Sequence, residues 1–319
     1  MSIRFALLFA ALALFCEASA QPYPAKPIRF LVPYTPGGST DIVARTVAVP
    51  LQHALGQPIV IENRPGAAEV LATELLARSE PNGYTILLIS NTFAINETFV
   101  PKVPYNSERD FASVVKLVDV PFAMLVNPAL SVNSVSELVA WAKSHPGKGN
   151  YAHYGIGTPH FLTMEWFKRV TGIDMVGIPY NGAVPGLTAV ATGDVAVLTT
   201  GLGGALSFIK SGKVKAIASA SARRLASMPE LPTIAESGYS NFDLTSWFGI
   251  LTRAGTPPEV VERLNLEFTR AVTAPDVKQR MASLGYESSP MSSREFGRFI
   301  RREIDNWGRI IKATGIKRE

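Results

Sequence analysis

The chain has 319 residues, 47% hydrophobic and 18% charged, with a formal net charge of +5, a balance that excludes a largely disordered protein. At roughly 100–200 residues per domain, the length implies about two domains, each large enough to bury its own core. The excess of base over acid leaves nucleic acid, a membrane surface or a small anion as partner, and composition does not choose among them.

Met1–Ala20 reads as a secretory signal peptide: Arg4 supplies the positive start, Phe5–Phe15 the apolar run, and Ala18-Ser19-Ala20 a small-residue cleavage site. The run is too short to span about 30 Å of hydrocarbon. Cleavage after Ala20 removes Cys16, the one cysteine, so the exported chain is expected to carry neither thiol chemistry nor a disulfide. Ile28–Pro33 reads as a first strand, and a helix from about Thr40 to Leu55 carries Val43, Val47, Leu51 and Leu55 on one face. Pro50 falls inside that helix and predicts a kink or a break, since an interior proline costs roughly 3 kcal/mol. Ile59–Glu62 and Thr85–Ser90 read as strands, with a helix over Glu69–Arg78 between them. Beyond the polar stretch Pro101–Asp110, strands recur at Ser113–Leu117 and Phe122–Asn127. Capping boxes are legible at Ser134–Glu137, Thr256–Glu259 and Ser292–Glu295, the last opening a helix over Ser293–Lys312. Strands alternating with helices predict α/β layers with largely parallel sheets.

Two Gly-rich strand-to-helix loops are the strongest candidates for chemistry. In the first, Pro33–Asp41, Gly37 and Gly38 let backbone amides face a concavity while Ser39 or Thr40 caps the helix. A helix N-terminus carries about half a positive charge and suits an anion, although an ordinary Gly-rich turn fits the same residues. Asp41 has three readings: it holds the loop, binds through water, or meets an ammonium group. The second loop lies in Tyr151–Leu162, where Gly155 and Gly157 flank Ile156 ahead of Thr158-Pro159. The third glycine of a dinucleotide fingerprint falls at His160, so a Rossmann cofactor site is not supported. Two such loops about 120 residues apart suggest one site built from two domains.

Catalytic alternatives are poorly supported. There is no G-x-S-x-G elbow, no H-E-x-x-H and no phosphate-binding P-loop. His153 and His160 lack the i, i+4 spacing of a zinc pair. Glu303 and Asp305, among Arg298, Arg301, Arg302 and Arg309, read as a solvated helix face, and the acid interleaving argues against nucleic acid.

In order along the chain stand YPAKPIRFLVPYTPGGSTDIVAR (Tyr23–Arg45), IENRPGA (Ile61–Ala67), PNGYT (Pro81–Thr85), GIGTPH (Gly155–His160), VGIPYNG (Val176–Gly182), LPTIAESGY (Leu231–Tyr239), SWFG (Ser246–Gly249) and AGTP (Ala254–Pro257). In that order and spacing the chain resembles the periplasmic substrate-binding proteins of tripartite tricarboxylate transporters, the Bug family. The resemblance implies an α/β, two-lobed periplasmic-binding-protein (Venus flytrap) fold with a ligand cleft between the lobes. Residues 22–121 plus 243–319 would form one lobe and 122–242 the other. It also implies a monomeric periplasmic protein that captures a small organic carboxylate and delivers it to membrane transporter subunits, with no enzymatic activity, cofactor, metal or nucleic-acid partner. An exported sensor for a membrane signalling protein, or an exported hydrolase or lyase with an unrecognised site, are the alternatives.

The family's ligand loops fall on Tyr34, Thr35, Gly37, Gly38, Ser39 and Asp41, and on Gly155, Ile156, Gly157, Thr158 and His160, with Tyr180 and Asn181 near the cleft. Trp247 reads equally as a core aromatic or as part of the cleft. The chain departs from the family at Ile156 and Phe161, where Asn and His are common, and at Ala68-Glu69-Val70, where Gly-Gly-Asn is usual. Thr199-Thr200-Gly201 stands where an acid commonly follows a strand. These departures imply a more apolar wall, suited to an aromatic or aliphatic carboxylate better than to citrate, and argue against an amino acid.

Overall fold

The computed structural model describes residues 23–240 and 242–316. The expected signal peptide and its cleavage site lie outside the described residues. The apolar runs become strands and the amphipathic stretches helices, in the order β1 (Ile28–Val32), α1 (Ser39–Leu55), β2 (Ile59–Asn63), α2 (Val70–Ala77), β3 (Thr85–Ser90), α3 (Asn91–Phe99) and β4 (Phe111–Val120). After Pro121 follow β5 (Phe122–Val126), α4 (Val135–Ser144), β6 (Asn150–His153), α5 (Pro159–Thr171), β7 (Val176–Pro179), α6 (Ala183–Thr192), β8 (Val197–Gly201), α7 (Leu202–Lys210) and β9 (Lys215–Ser219). The chain closes with β10 (Ser246–Arg253), α8 (Pro258–Thr273), α9 (Pro275–Ser283), β11 (Glu287–Ser288) and α10 (Ser293–Thr314).

The strands form two sheets, one of order β11-β4-β10-β3-β1-β2 and one of order β7-β6-β8-β5-β9. Each is covered by apolar helix faces on both sides. Val43, Val47 and Leu51 of α1 join Leu264 and Phe268 of α8 on one face of the first sheet, while Phe93, Trp247 and Phe296 fill the other. Leu162 and Phe167 of α5 cover one face of the second sheet, and Leu187 and Val190 of α6 the other. Burying aliphatic surface at about 25 cal/mol per Å2 is what holds each layer.

The sheets are mixed, where largely parallel ones were expected. β1 pairs in parallel with β2 and β3, and β6 with β7 and β8, but β5 and β10 run antiparallel to both their neighbours. Those two strands are the ones that have just arrived from the other sheet. With no crossover helix to bring them round, they enter in the opposite sense. The two passages between sheets, at Pro121 and after β9, are tied together: Ala220 N donates to Phe122 O at 2.9 Å and Leu244 N to Ala220 O at 2.8 Å.

Helix α1 runs continuously through Pro50, so of the kink or break expected there the break does not occur, and one backbone donor is lost. Thr256 does not cap α8; Pro257 precedes that helix, and the Thr256 hydroxyl donates to Arg253 O at 2.7 Å. The Ser292 capping box forms in full, and Ser134 accepts from Glu137 N. Glu303, expected on a solvated face, turns inward, accepting from Trp247 Nε1 at 2.8 Å and Trp307 Nε1 at 3.2 Å. Burial pushes its carboxyl up to about 7. Trp247 is accordingly a core residue, 1% exposed and packed edge-on against Phe296 and Phe299. Helix α10 serves both sheets, with Phe296 and Ile300 in a core of the first and Trp307, Ile310 and Ile311 in that of the second.

Helix α3 was absent from the sequence-based expectation. Every residue from Asn91 to Asn96 is buried, because Phe93 faces a core of the first sheet while Ala94 and Ile95 face that of the second. A helix wedged between two cores shows no amphipathic period.

Candidate functional site

The first Gly-rich loop leaves β1 at Val32 and enters α1 at Ser39, with Gly37 in the left-handed region at φ +82. Asp41 holds it. Its Oδ2 accepts from Gly37 N and from Arg45 Nε, both at 2.9 Å, and its Oδ1 accepts from Asn63 Nδ2 at 2.9 Å. Asn63 Nδ2 also reaches Tyr34 O at 3.0 Å. The Arg45 hydrogen bond foremost, helped by Gly37 and Asn63, lowers the Asp41 carboxyl to about 2. Of its three readings, the hydrogen bonds match the loop-holding one. No side chain caps α1; Gly38 takes the N-cap position.

The second loop joins β6 to α5. Gly155 and Gly157 take φ +120 and +81, and Thr158 caps α5 by accepting from Phe161 N at 3.4 Å while donating to Gly155 O at 2.7 Å. Gly155 N donates to His153 Nδ1 at 3.0 Å. The Ile156 and Gly157 amides meet no protein acceptor among the described residues, so two donors stand free at the positive end of a thirteen-residue helix. His160 turns away, stacking on Phe122 at 4.8 Å and meeting Tyr154 at 4.2 Å, with Nδ1 closed off and unpartnered. Burial, with His153 nearby, pushes it down to about 3 and keeps it neutral.

Between the sheets a cavity of about 310 Å3 brings the two loops together. Tyr34, Ala68, Thr92, Asn96, Phe99 and Val100 line it from one side, and Ile156, Gly157 and Thr158 from the other. None of these side chains is charged. Two larger hollows, of about 470 and 520 Å3, lie away from both loops.

Of the residues expected at a site, the cavity therefore gathers Tyr34, Ile156, Gly157 and Thr158. Thr35, Gly37, Gly38, Ser39, Asp41, Gly155 and His160 shape or flank its loops without lining it. Tyr180 and Asn181 sit at the end of β7, where Tyr180 N donates to His153 O at 2.8 Å. Phe161 packs against Tyr151 and His153 rather than the cavity, so the apolar wall comes from Ile156, Phe99 and Val100. Thr199 and Thr200 are buried in the sheet, bonded to Met164 Sδ and Tyr154 Oη.

Sequence reasoning missed the α3 contribution and an acid behind the wall. Glu69, 1% exposed, accepts from Tyr34 Oη at 2.9 Å and from the Ser90 hydroxyl. Thr92 Oγ1 lies 3.2 Å from Tyr34 Oη. Burial pushes the Glu69 carboxyl up to about 7 against the pull of these hydroxyls. The segment that delivers it is strained: Ala67, Ala68 and Glu69 all take positive φ, 47, 51 and 71. Each such position costs roughly 1–2 kcal/mol. Asn96 Nδ2, donating to Ala68 O at 2.6 Å, helps hold it there. The signal was the replacement of the small, turn-forming residues usual after Arg64-Pro65-Gly66.

Comparison with known proteins agrees with this architecture. The family model described as tripartite tricarboxylate transporter family receptor matches residues 43–316. Protein BugT of Bordetella pertussis is 36% identical over 94% of this chain and 92% of its own length. The solved periplasmic binding protein BugD is 30% identical, with a TM-score of 0.79 over 93% of this chain and 100% of its own. An R. palustris protein solved with adipate is 29% identical, with a TM-score of 0.81 over 92% of this chain and 99% of its own.

Proposed function

Starting from the premise that the chain belongs to the tripartite tricarboxylate transporter receptor family, we propose that it captures a small organic carboxylate between its lobes, in the cavity that the two Gly-rich loops share. The chain is a periplasmic solute-binding protein of tripartite transport. It binds its ligand and releases it unchanged to the membrane subunits, acting as a monomer exported by cleavage after Ala20. The lobes are 22–121 with 243–319, and 122–242, with α10 reaching across from the first to the second.

The observation that carries this reading is one uncharged cavity in which the unpartnered Ile156 and Gly157 amides of one side meet the hydroxyl-bearing Tyr34 and Thr92 of the other. Micromolar binding requires about 8.2 kcal/mol, whereas one helix N-terminus supplies at most about 2 kcal/mol. The Ile156 and Gly157 amides alone are therefore insufficient. Thr158 on their side, and Tyr34, Thr92 and Asn96 across the cavity, supply further polar contacts, with ordered water between where the span exceeds direct reach. The apolar part of the ligand lies against Phe99, Val100 and Ile156. Ligand-driven closure is then a shift in population set by the difference in affinity between open and closed forms.

A thermal-shift screen of the exported chain against small carboxylates tests this. A ligand at about a hundred times its Kd stabilises by about 2.7 kcal/mol, a rise the screen resolves easily. A folded protein that no carboxylate stabilises would count heavily against the reading.

A further inference from the structure

Glu69 is a buried carboxyl whose contacts in the structure are hydroxyls and amides, and no lysine, arginine or histidine pairs with it among the described residues. Tyr34 and Tyr105 are the ionisable groups facing it, and burial together with Glu69 keeps both phenols neutral. The hydrogen-bond directions follow from counting protons. Tyr34 has a single hydroxyl proton, and Glu69 receives it at 2.9 Å. In the 3.2 Å contact between Tyr34 and Thr92, the Thr92 hydroxyl must then be the donor. Ser90 likewise directs both its hydroxyl and its amide toward Glu69. With Glu69 ionised, above about pH 7, every proton in this network points inward to the carboxylate, and chained hydrogen bonds of one sense polarise each other. Tyr34 and Thr92, which line the cavity, then have no hydroxyl proton left to donate into it, and the ionised carboxylate lies behind them. The opposite wall is the reverse, with the Ile156 and Gly157 amides free to donate.

We propose that Glu69 is the residue that decides which end group a ligand turns toward the first sheet, making the Tyr34–Thr92 wall an acceptor surface that favours a hydrogen-bond donor and repels a second carboxylate. This rests on the carboxylate reading of the cavity and narrows it. The ligand class is a carboxylate bearing an ammonium or hydroxyl group at its far end, the carboxylate lying at the α5 terminus. The assignment reverses the sequence-based argument against amino acids, which had looked for an acid after β8 and not behind Tyr34. Glu69 acts through Tyr34 and Thr92 and is a positioning residue.

The test uses ligands that differ only at the far end: hexanoate, 6-hydroxyhexanoate, 6-aminohexanoate and adipate, with the four-carbon set alongside. Each is titrated calorimetrically into the native protein and into Glu69→Gln at about pH 8, where Glu69 is ionised. The hydroxy or amino acid should bind at least about tenfold more tightly than the diacid in the native protein, and Glu69→Gln should erase most of that ratio. The glutamine keeps the shape and an acceptor oxygen, so a merely structural role for Glu69 would change all affinities together and leave the ratio intact. Tyr34→Phe, which removes the relay and leaves Glu69 in place, should lower the preference for the hydroxyl end. It carries the test if Glu69→Gln does not fold. Binding of these acids without end-group preference, or with a ratio unmoved in both variants, overturns the inference and leaves carboxylate capture standing. If none of these acids binds while the wider carboxylate screen succeeds, the inference fails; if that screen fails too, the parent reading fails with it.

Discussion

The backbone of Gly157, in the loop before α5, lies so close to the ring of Phe99 on α3 that a Cβ there would stand 2.2 Å from Phe99 Cε1. The two residues come from opposite sides of the cavity, and both line it. Here glycine serves twice, once for its φ of +81 and once for the missing methyl group.

Replacing Gly157 by alanine should therefore push the loop and Phe99 apart. Unfolding stability should fall by about 1–2 kcal/mol from backbone strain alone. Ligand-induced thermal stabilisation should fall further, since the clash lies in the contact between the two walls. Calorimetric titration and denaturant unfolding separate the two effects, and unchanged ligand affinity would exclude the contact from binding.

Asp41 joins Gly37, Arg45 and Asn63 in one hydrogen-bonded set. Asp41→Ala leaves the Gly37 amide and one of the two Asn63 side-chain N–H groups without their acceptor, at a cost of about 1–3 kcal/mol. Because the carboxyl is depressed to about 2, its contribution is complete above the ordinary value of 3.8 and disappears as the pH falls toward about 2. Native and variant proteins should thus differ in unfolding free energy at neutral pH and converge under strong acid.

His160 carries the opposite chemistry with the same sign. Its folded-state value is lowered from 6.5 to about 3, so the native form resists a proton that the unfolded chain accepts. Its neutral state supports the fold fully above 6.5, and the advantage is lost as the pH falls from 6.5 toward 3. By about pH 4.5 the loss amounts to about 2–3 kcal/mol, at about 1.4 kcal/mol per unit. His160→Phe, which retains the stacking on Phe122, should lose less stability between neutral pH and pH 4.5 than the native protein does. Equal pH profiles for the two proteins would refute this role.

Much of the site was legible because both Gly-rich loops are local features, with strand, glycines, cap and helix contiguous in the chain. Tyr34, Ile156, Gly157 and Thr158 were named on those grounds, and they line one cavity. Thr92, Asn96 and Phe99 were not named, because α3 is buried between two cores and loses the alternation that marks a surface helix. Glu69 was read as a departure within a turn, and nothing adjacent to it along the chain announces that Ser90 and Tyr34 close over it.

The α/β class, the two Gly-rich loops and the order of motifs followed from the amino-acid sequence alone, since periodicity, turn chemistry and caps act over a few neighbouring residues. Tertiary structure decided the mixed sense of the sheets, the inward turn of Glu303 and the direction of the protons around Glu69. Each depends on groups tens to hundreds of residues apart being excluded from water together. Once there, a polar group must take whatever partner folding supplies, and no local pattern names that partner.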